Sequence, residues 1–412
     1  MNKEQLEIII REQMEEIKTE KEFVFREMDS RFLKTKKIVA ISGVRRSGKS
    51  TLLRQISKNL SGFYYLNFED ERLLNFSVDD FNVALEIFQT LYGEQKTCLF
   101  DEIQEIVGWE KFVSRLQRLD YKVFVTGSNA KLLSSELSTY LTGRHLVFKM
   151  YPFSFSEFLL FKNFTVKQIY TTKEKAVLMR HFKQFKELGG FPEVVESADK
   201  SELDQIYQDI LIKDLLIRFK IRETKSFREL AFFYLSNIGT KVSFNNLKKI
   251  LKIASVSSVK NYTEYLESSY LYFLISKFDY SLKKQIVNDK KVYCIDTGIA
   301  YNLSFRCSSN SGRYLENIVF LELKRRSKDI FYFSEKGECD FVIRKGRKIV
   351  EAIQVTEHLD EYNKEREVDG LVEALEKFNL KSGLILTNDE EGQFQKNGKK
   401  IKVMPVWKWL LL

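Results

Sequence analysis

Nine consecutive residues, Gly43-Val44-Arg45-Arg46-Ser47-Gly48-Lys49-Ser50-Thr51, carry the spacing G-x-x-x-x-G-K-[ST], which suits a polyphosphate such as ATP. Glycines let backbone N–H groups turn inward around phosphate oxygens. A helix opening at Lys49 adds the positive end of its dipole. Lys49 has the reach and charge for the β- and γ-phosphates, and the Ser50 hydroxyl is a hard ligand for magnesium. Arg45 and Arg46 lie inside the loop, where they serve either the phosphates or a partner domain. Further on, "KTCLFDEIQEI" ends an apolar run in Asp101 and Glu102. One carboxylate there completes a magnesium shell while the next activates water. The competing role, an exposed strand cap, loses force beside the phosphate loop.

Two further candidates follow. "KVFVTGSNA" ends a strand in Thr126, Ser128 and Asn129. Asn129 is the first choice to orient the attacking water and Ser128 the second; the competing role is the N-cap of "KLLSSEL". Arg144, in "YLTGRHLVF", opens the next strand. It reads as a transition-state arginine in cis or in trans, or as a phosphate-sensing or structural residue.

A second constellation lies near the C-terminus. Glu316, Asp340 and Gln354 of "KIVEAIQVT" follow the order helix acid, strand-end acid, second strand. A metal-dependent nuclease of this outline needs two carboxylates on magnesium and a lysine beside the attacking water. That lysine stands two residues after the last acid, on the same strand face. If Gln354 and Thr356 hold the two places, the acid has become an amide and the lysine a hydroxyl. If Glu351 is the acid, Ile353 falls where lysine belongs. Glu351 and Gln354 differ by an odd number and face opposite ways on a regular strand. Lys348 lies about 20 Å along the strand from Gln354. Lys364, Arg366 and Glu367 on the next helix are candidates for a migrated group. Three readings stand: an active nuclease, a nuclease-shaped fold that does not cut, and an unrelated hairpin. The missing pair favours the second.

The elements that must position these residues are legible. "KIVAIS", "GFYYLN", "TCLFDE", "KVFVTG" and "HLVFKM" read as strands separated by helical stretches, hence a mostly parallel sheet with helices on both faces. Before them, Leu6, Ile9, Ile10 and Ile17 share one face of an amphipathic helix. Residues 151–226 are helical in pattern, broken at "LGGFPE". Residues 227–305 read as three helical segments and a two-strand wing, the order of a winged helix. Leu247, Ile250 and Leu251 line the face of one helix. Ser255 or Ser257 caps the next, whose Val259, Tyr262, Tyr265 and Leu266 pack inward and whose Ser258, Lys260, Asn261 and Glu264 face out. Residues 306–412 return to alternating strands and helices. The expected domains are 1–150, 151–226, 227–305 and 306–412.

Composition is consistent with this. The 412 residues are 44% hydrophobic and 30% charged, as in ordinary globular proteins of two to four domains. Four scattered cysteines form no C-x-x-C pair, which suggests neither a zinc site nor a disulfide framework and suits a reduced, cytoplasmic setting. No run reaches the ~18 apolar residues of a membrane span. The net charge is +10, which permits a polyanionic partner. Residues 241–291 hold ten lysines and four acids, a local +6, which points to phosphate contact on DNA through Lys260, Asn261, Lys283 and Lys284. Without arginine there, weak sequence preference is expected.

"GVRRSGKSTLL", "LFDEIQ", "TGSNAKLLSSELSTYLTGR", "YPFSFSEFL" and "GGFPEVV", in this order, resemble a prokaryotic family of AAA-type ATP-binding proteins. Members carry a C-terminal winged-helix and restriction-endonuclease-like region. The resemblance runs from about Lys36 to the end. It implies an α/β P-loop NTPase core with an additional-strand parallel sheet, a helical lid, a winged helix and a C-terminal α/β nuclease-like domain. A branch of the family carries a similar Gln-Val-Ser/Thr in place of acid-x-Lys. The expected function is ATP hydrolysis with Mg²⁺, coupled to a module acting on DNA. A slow nucleotide switch that recruits a protein partner and an ATP-gated nuclease are the alternatives; a homo-oligomer is compatible with each.

Overall fold

The computed structural model describes residues 1–20, 23–128, 143–304 and 311–412. The chain divides into two compact units, Met1–Tyr151 and Pro152–Leu412.

The first unit is built on a five-stranded parallel sheet. Its strands are β1 (Ile38–Gly43), β2 (Tyr64–Asn67), β3 (Thr97–Asp101), β4 (Lys122–Gly127) and β5 (His145–Met150), in the order β2-β3-β4-β1-β5. β4 is therefore inserted between β1, which feeds the phosphate loop, and β3, which ends in Asp101. Helices cover the sheet, so β1 is buried along its whole length and reads as an unbroken apolar run. The N-terminal helix Lys3–Lys18 buries Leu6, Ile9, Ile10 and Ile17, with Met14 and Gln13. The Gln13 amide accepts from Asn67 N at 2.7 Å and donates to Asn67 O at 3.2 Å. It thus occupies backbone groups that an edge strand would leave open.

The second unit opens with helices Phe155–Phe161 and Thr172–Leu188, each started by a capping box (Ser154/Glu157 and Thr171/Glu174). The chain turns at Gly189, where φ is +75° and a Cβ would lie 1.9 Å from Asp296 Oδ1. Asp296 Oδ2 accepts from Gly190 N at 2.7 Å, while its Oδ1 caps helix Thr297–Leu303 through Ile299 N. This one carboxylate ties "LGGFPE" to "IDTG". The helical segment therefore packs with the C-terminal part of the chain.

Helices Thr224–Ser236, Phe244–Ile250 and Val256–Ser268 follow, with a small antiparallel sheet of β6 (Lys241–Val242), β7 (Tyr272–Ser276) and β8 (Lys290–Cys294) in the order β6-β8-β7. A six-residue helix, Leu282–Val287, lies in the β7–β8 connection, which reads from sequence as a plain wing. Ile250 is 52% exposed, contrary to its expected place on the apolar face; the helix ends there, and Leu247 alone is buried. Tyr262 and Tyr265 are half-buried, Tyr265 stacking on Phe219 at 4.1 Å.

The last part is a six-stranded mixed sheet: β9 (Asp329–Ser334), β10 (Glu338–Lys345), β11 (Lys348–Val355), β12 (Ser382–Thr387), β13 (Gly392–Lys396) and β14 (Lys399–Pro405), in the order β13-β14-β12-β11-β10-β9. Helix Lys364–Lys377 buries Val368, Leu371 and Leu375 against Cys339, Val342, Ala352 and Ile385. Among the described residues no helix is long and apolar enough to cross a membrane.

Candidate functional site

The phosphate loop leaves β1 at Gly43, and the helix Lys49–Ser57 begins directly after Gly48, which sits at φ 92°. Arg46 also takes a left-handed φ of 61°, a conformation uncommon outside glycine. Arg45 pairs with Glu69 at 2.8 Å. Val44 and Ser47 are buried, and Ser47 Oγ has no hydrogen-bond partner among the described residues. Gly43, Ser50 and Thr51 complete the loop; Ser50 is exposed. The loop runs straight into a helix N-terminus, where free backbone N–H groups suit an anion.

Asp101 and Glu102 are neighbours, and strand alternation alone would point them apart. Glu102 escapes this because it adopts φ 48°, ψ 43° at the strand end. Non-glycine residues are held in such conformations at a cost of about 1–3 kcal/mol. The turn carries Glu102 Oε1 to 3.1 Å from Lys49 Nζ, which also donates to Val44 O at 3.3 Å. Thr126, on the inserted strand β4, holds the pair in place: it accepts from Glu102 N at 2.8 Å and donates to Asp101 Oδ1. The Ser50 hydroxyl hydrogen-bonds Asp101. Burial pushes the Asp101 carboxyl up, reinforced by Glu102 and opposed by Ser50, Thr126 and Lys49. Burial also opposes the charge on Glu102, but Lys49, Gln104 and Arg45 outweigh it and hold that carboxyl below its usual range. Ser50 and Asp101 together form a hard oxygen donor set that fits Mg²⁺.

Of the other expected catalytic residues, only Arg144 and Ser128 are among those described. Asn129 lies outside the described residues; Ser128, buried, follows β4. Arg144 is not brought to the phosphate loop. Its carbonyl accepts from Ile38 N at 3.0 Å, so it marks the N-terminal end of β1. The loop leaves the other end, five residue steps or about 17 Å away along a strand. A cis contact with the chain's own γ-phosphate is thereby removed; Arg144 is exposed.

Arg26 is a residue that sequence reading missed. It is buried and donates to Ser47 O at 3.1 Å and Tyr151 O at 2.6 Å. Its backbone is pinned at N and O by the Gln55 amide, both at 2.8 Å. It buttresses the phosphate loop from outside any motif, so no spacing rule could find it.

The C-terminal constellation does assemble. Asp340, the third residue of β10, lies in a bulge: Cys339 pairs with Phe333 and Val342 with Phe331, so β10 carries one extra residue. Bulges re-aim side chains in this way. Asp340 Oδ2 accepts from Val355 N at 2.9 Å, and Asp340 N donates to Gln354 Oε1 at 3.1 Å. Gln354 Nε2 donates to Glu367 Oε2 at 2.5 Å. Glu351 faces away and pairs with Lys328 at 2.8 Å, as parity requires. Of the migrated candidates, Glu367 reaches Gln354, and Arg366 reaches Glu367 at 2.5 Å. Lys364 lies over the Phe394 ring at 5.8 Å instead.

A lysine is nevertheless present. Lys291, on β8, places Nζ 2.7 Å from Asp340 Oδ1, 3.0 Å from Glu316 Oε1 and 2.7 Å from Glu338 Oε1. Glu316 comes from helix Ser311–Arg325 and also accepts from Tyr293 OH at 2.6 Å. Burial, helped by Asp340, pushes the Glu316 carboxyl up to about 7. Burial would depress the Lys291 ammonium, but Asp340, Glu316 and Glu338 hold it well above its usual value. Lys291 was counted among the basic residues facing DNA; at 1% exposure it cannot serve there. Lys241 is likewise committed, to Glu338 at 2.6 Å. Lys260, Asn261, Lys283 and Lys284 are exposed.

Residues 35–159 match the AAA domain family, and residues 179–310 match DUF8612, a domain of unknown function. The uncharacterized protein MJ1544 of Methanocaldococcus jannaschii is 40% identical over 400 residues, covering 91% of this chain and 88% of that protein. An uncharacterized protein of Haemophilus influenzae is 32% identical over 398 residues, covering 92% and 96% respectively. Among solved structures, Cdc6p from Pyrobaculum aerophilum covers 66% of this chain and 86% of its own at 9% identity, with a TM-score of 0.25.

Proposed function

The chain belongs to the family of the M. jannaschii and H. influenzae proteins and carries an AAA domain, and from that premise we propose that it binds ATP and hydrolyses it with Mg²⁺. The observation that carries this reading is the arrangement of Lys49, Glu102, Asp101 and Thr126 around the loop. ATP phosphates take the loop amides and draw Lys49 Nζ away from Glu102. Ser50 and Asp101 would hold Mg²⁺, which when bound would supply positive charge against the phosphates. Once Lys49 serves phosphate, the main influence lowering the Glu102 carboxyl is gone and burial raises it. A carboxylate of higher pKa is the better general base near neutral pH. Glu102 therefore becomes competent to take the proton of the attacking water when substrate is seated. Asn129 orients that water. Arg144 acts only on a neighbouring subunit, which calls for a homo-oligomer.

Nucleotide state is coupled to the C-terminal unit, which acts on DNA. Exposed Lys260, Asn261, Lys283 and Lys284 on a helix–helix–strand arrangement support a winged helix touching phosphates. The sheet that carries Asp340 supports a nuclease-like domain that does not cut. A cytoplasmic setting fits both.

The test is ATP hydrolysis by the full chain against Lys49→Ala, alone and with single-stranded, duplex or branched DNA. Hydrolysis lost in Lys49→Ala and stimulated by one DNA form is expected; hydrolysis equal in both proteins rejects the enzyme. The contact from Gln104 to Glu102 Oε2, 2.5 Å, favours a second reading, a slow switch that recruits a protein partner. Tight ATP binding with a turnover far below that of ordinary ATPases would select it.

A further inference from the structure

The carboxylate cluster of the C-terminal sheet already contains a cation. An ammonium has three N–H donors, and Lys291 has three carboxylate partners at 2.7, 2.7 and 3.0 Å, from Asp340, Glu338 and Glu316. The other groups a metal would need are also committed. Asp340 Oδ2 is held by Val355 N, Glu338 Oε2 by Lys241 and Gln354 Oε1 by Asp340 N. Gly239 lies over Glu316 Oε2, so closely that a Cβ there would come within 3.0 Å.

A divalent ion of the Mg²⁺ class gathers the same oxygens at about 2.0–2.6 Å. It could enter only if the ammonium left, and Lys291 is 1% exposed. Moving it would strip a buried charge of its partners, a change strongly resisted by any fold. We propose that Lys291 is the built-in cation of this site: it stands where a divalent ion would bind, excludes metal from the intact protein, and clips β8 to helix Ser311–Arg325 and to β10 without one. A cleavage mechanism that needs magnesium between Glu316 and Asp340 does not fit these residues. The inference stands independently of the ATPase reading, since no residue of the phosphate loop enters it.

Mn²⁺ is the probe, titrated into nucleotide-free full chain by water-proton relaxation and followed in parallel by thermal unfolding. Asp101→Asn is placed in every protein so that the phosphate-loop carboxylate does not contribute. With Lys291 present, no Mn²⁺ binding that depends on Asp340 is expected. Lys291→Ala should gain one Mn²⁺ at least tenfold tighter, with a Tm that rises on adding the ion, and Asp340→Asn should abolish the gain. The variant Lys291→Ala, Glu338→Gln loses one charge of each sign, protects the fold, and should gain the ion as well. Mn²⁺ bound by the Lys291 protein and lost in Asp340→Asn overturns the proposal. So does failure of both Lys291 variants to gain it.

Discussion

Lys49 and Lys291 are both buried lysines paired with glutamate near 3 Å, yet their surroundings make them opposites. Among the described residues Lys49 has one carboxylate partner and one carbonyl; it stands at the N-terminus of a helix and neighbours the exposed Ser50. A phosphate can replace Glu102 with more charge and add the loop amides, so the pair is exchangeable. Lys291 has three carboxylates from two other elements and is sealed. Nothing of comparable charge can reach it. The number of partners and the access of solvent, rather than the presence of a Lys–Glu contact, separate a poised site from a closed one.

The comparison breaks most visibly at Lys49. Lys49→Ala should lower ATP hydrolysis about 10³-fold, as loss of a group that stabilises transition-state charge does; phosphate release measures it, and a rate within tenfold of wild type contradicts the reading. Glu102→Gln should lower turnover about 10²–10⁴-fold while ATP affinity, read by titration of a fluorescent analogue, holds.

Stability should reverse the ranking. Lys291→Ala takes the ammonium away from buried Asp340 and Glu316 and should cost about 3–5 kcal/mol in urea unfolding. Lys49→Ala, which strands one carboxylate at a more open site, should cost less. Equal losses would erase the distinction between the two lysines.

The exposed lysines are a third case, free of both roles. Replacing Lys260, Lys283 and Lys284 together by Ala should reduce the slope of log affinity against log salt for DNA by about 2–3. An unchanged slope removes DNA from that face.

The smallest effect concerns Asp296, a buried carboxylate. Burial pushes it up to about 6, against hydrogen bonds from Gly190, Ile299 and Gly298 N. The folded state then holds a proton that the unfolded chain, titrating near 4, has released. Stability from this group is present below pH 4 and falls as pH rises through 6. The stability of Asp296→Asn relative to wild type should therefore improve by about 1–3 kcal/mol from pH 4 to 6; a flat difference rejects it.

Strand parity within β11 was readable in advance, because the side-chain period of two is local; Glu351 and Gln354 do face apart. The five parallel strands were equally legible as apolar runs between helices. Ile250 was misread because the helix stops at that turn. The helix Leu282–Val287 was missed because six residues between strands carry too little periodicity to be seen. Thr126 was visible only as a polar strand end; its bridge between Asp101 and Glu102 exists because β4 lies between β1 and β3.

By itself the sequence determined the phosphate loop and its acid pair. Their chemistry is carried by consecutive residues, so local spacing and a helix start are enough to specify it. The tertiary structure alone decided that Arg144 sits at the far end of β1, that Arg26 props the loop, and that Lys291 of β8 meets the acids of β10 and of helix Ser311–Arg325. Lys291 and Asp340 are 49 residues apart, and no periodicity links positions on different elements. Only packing brings such charges together, and burial then decides whether they remain exchangeable.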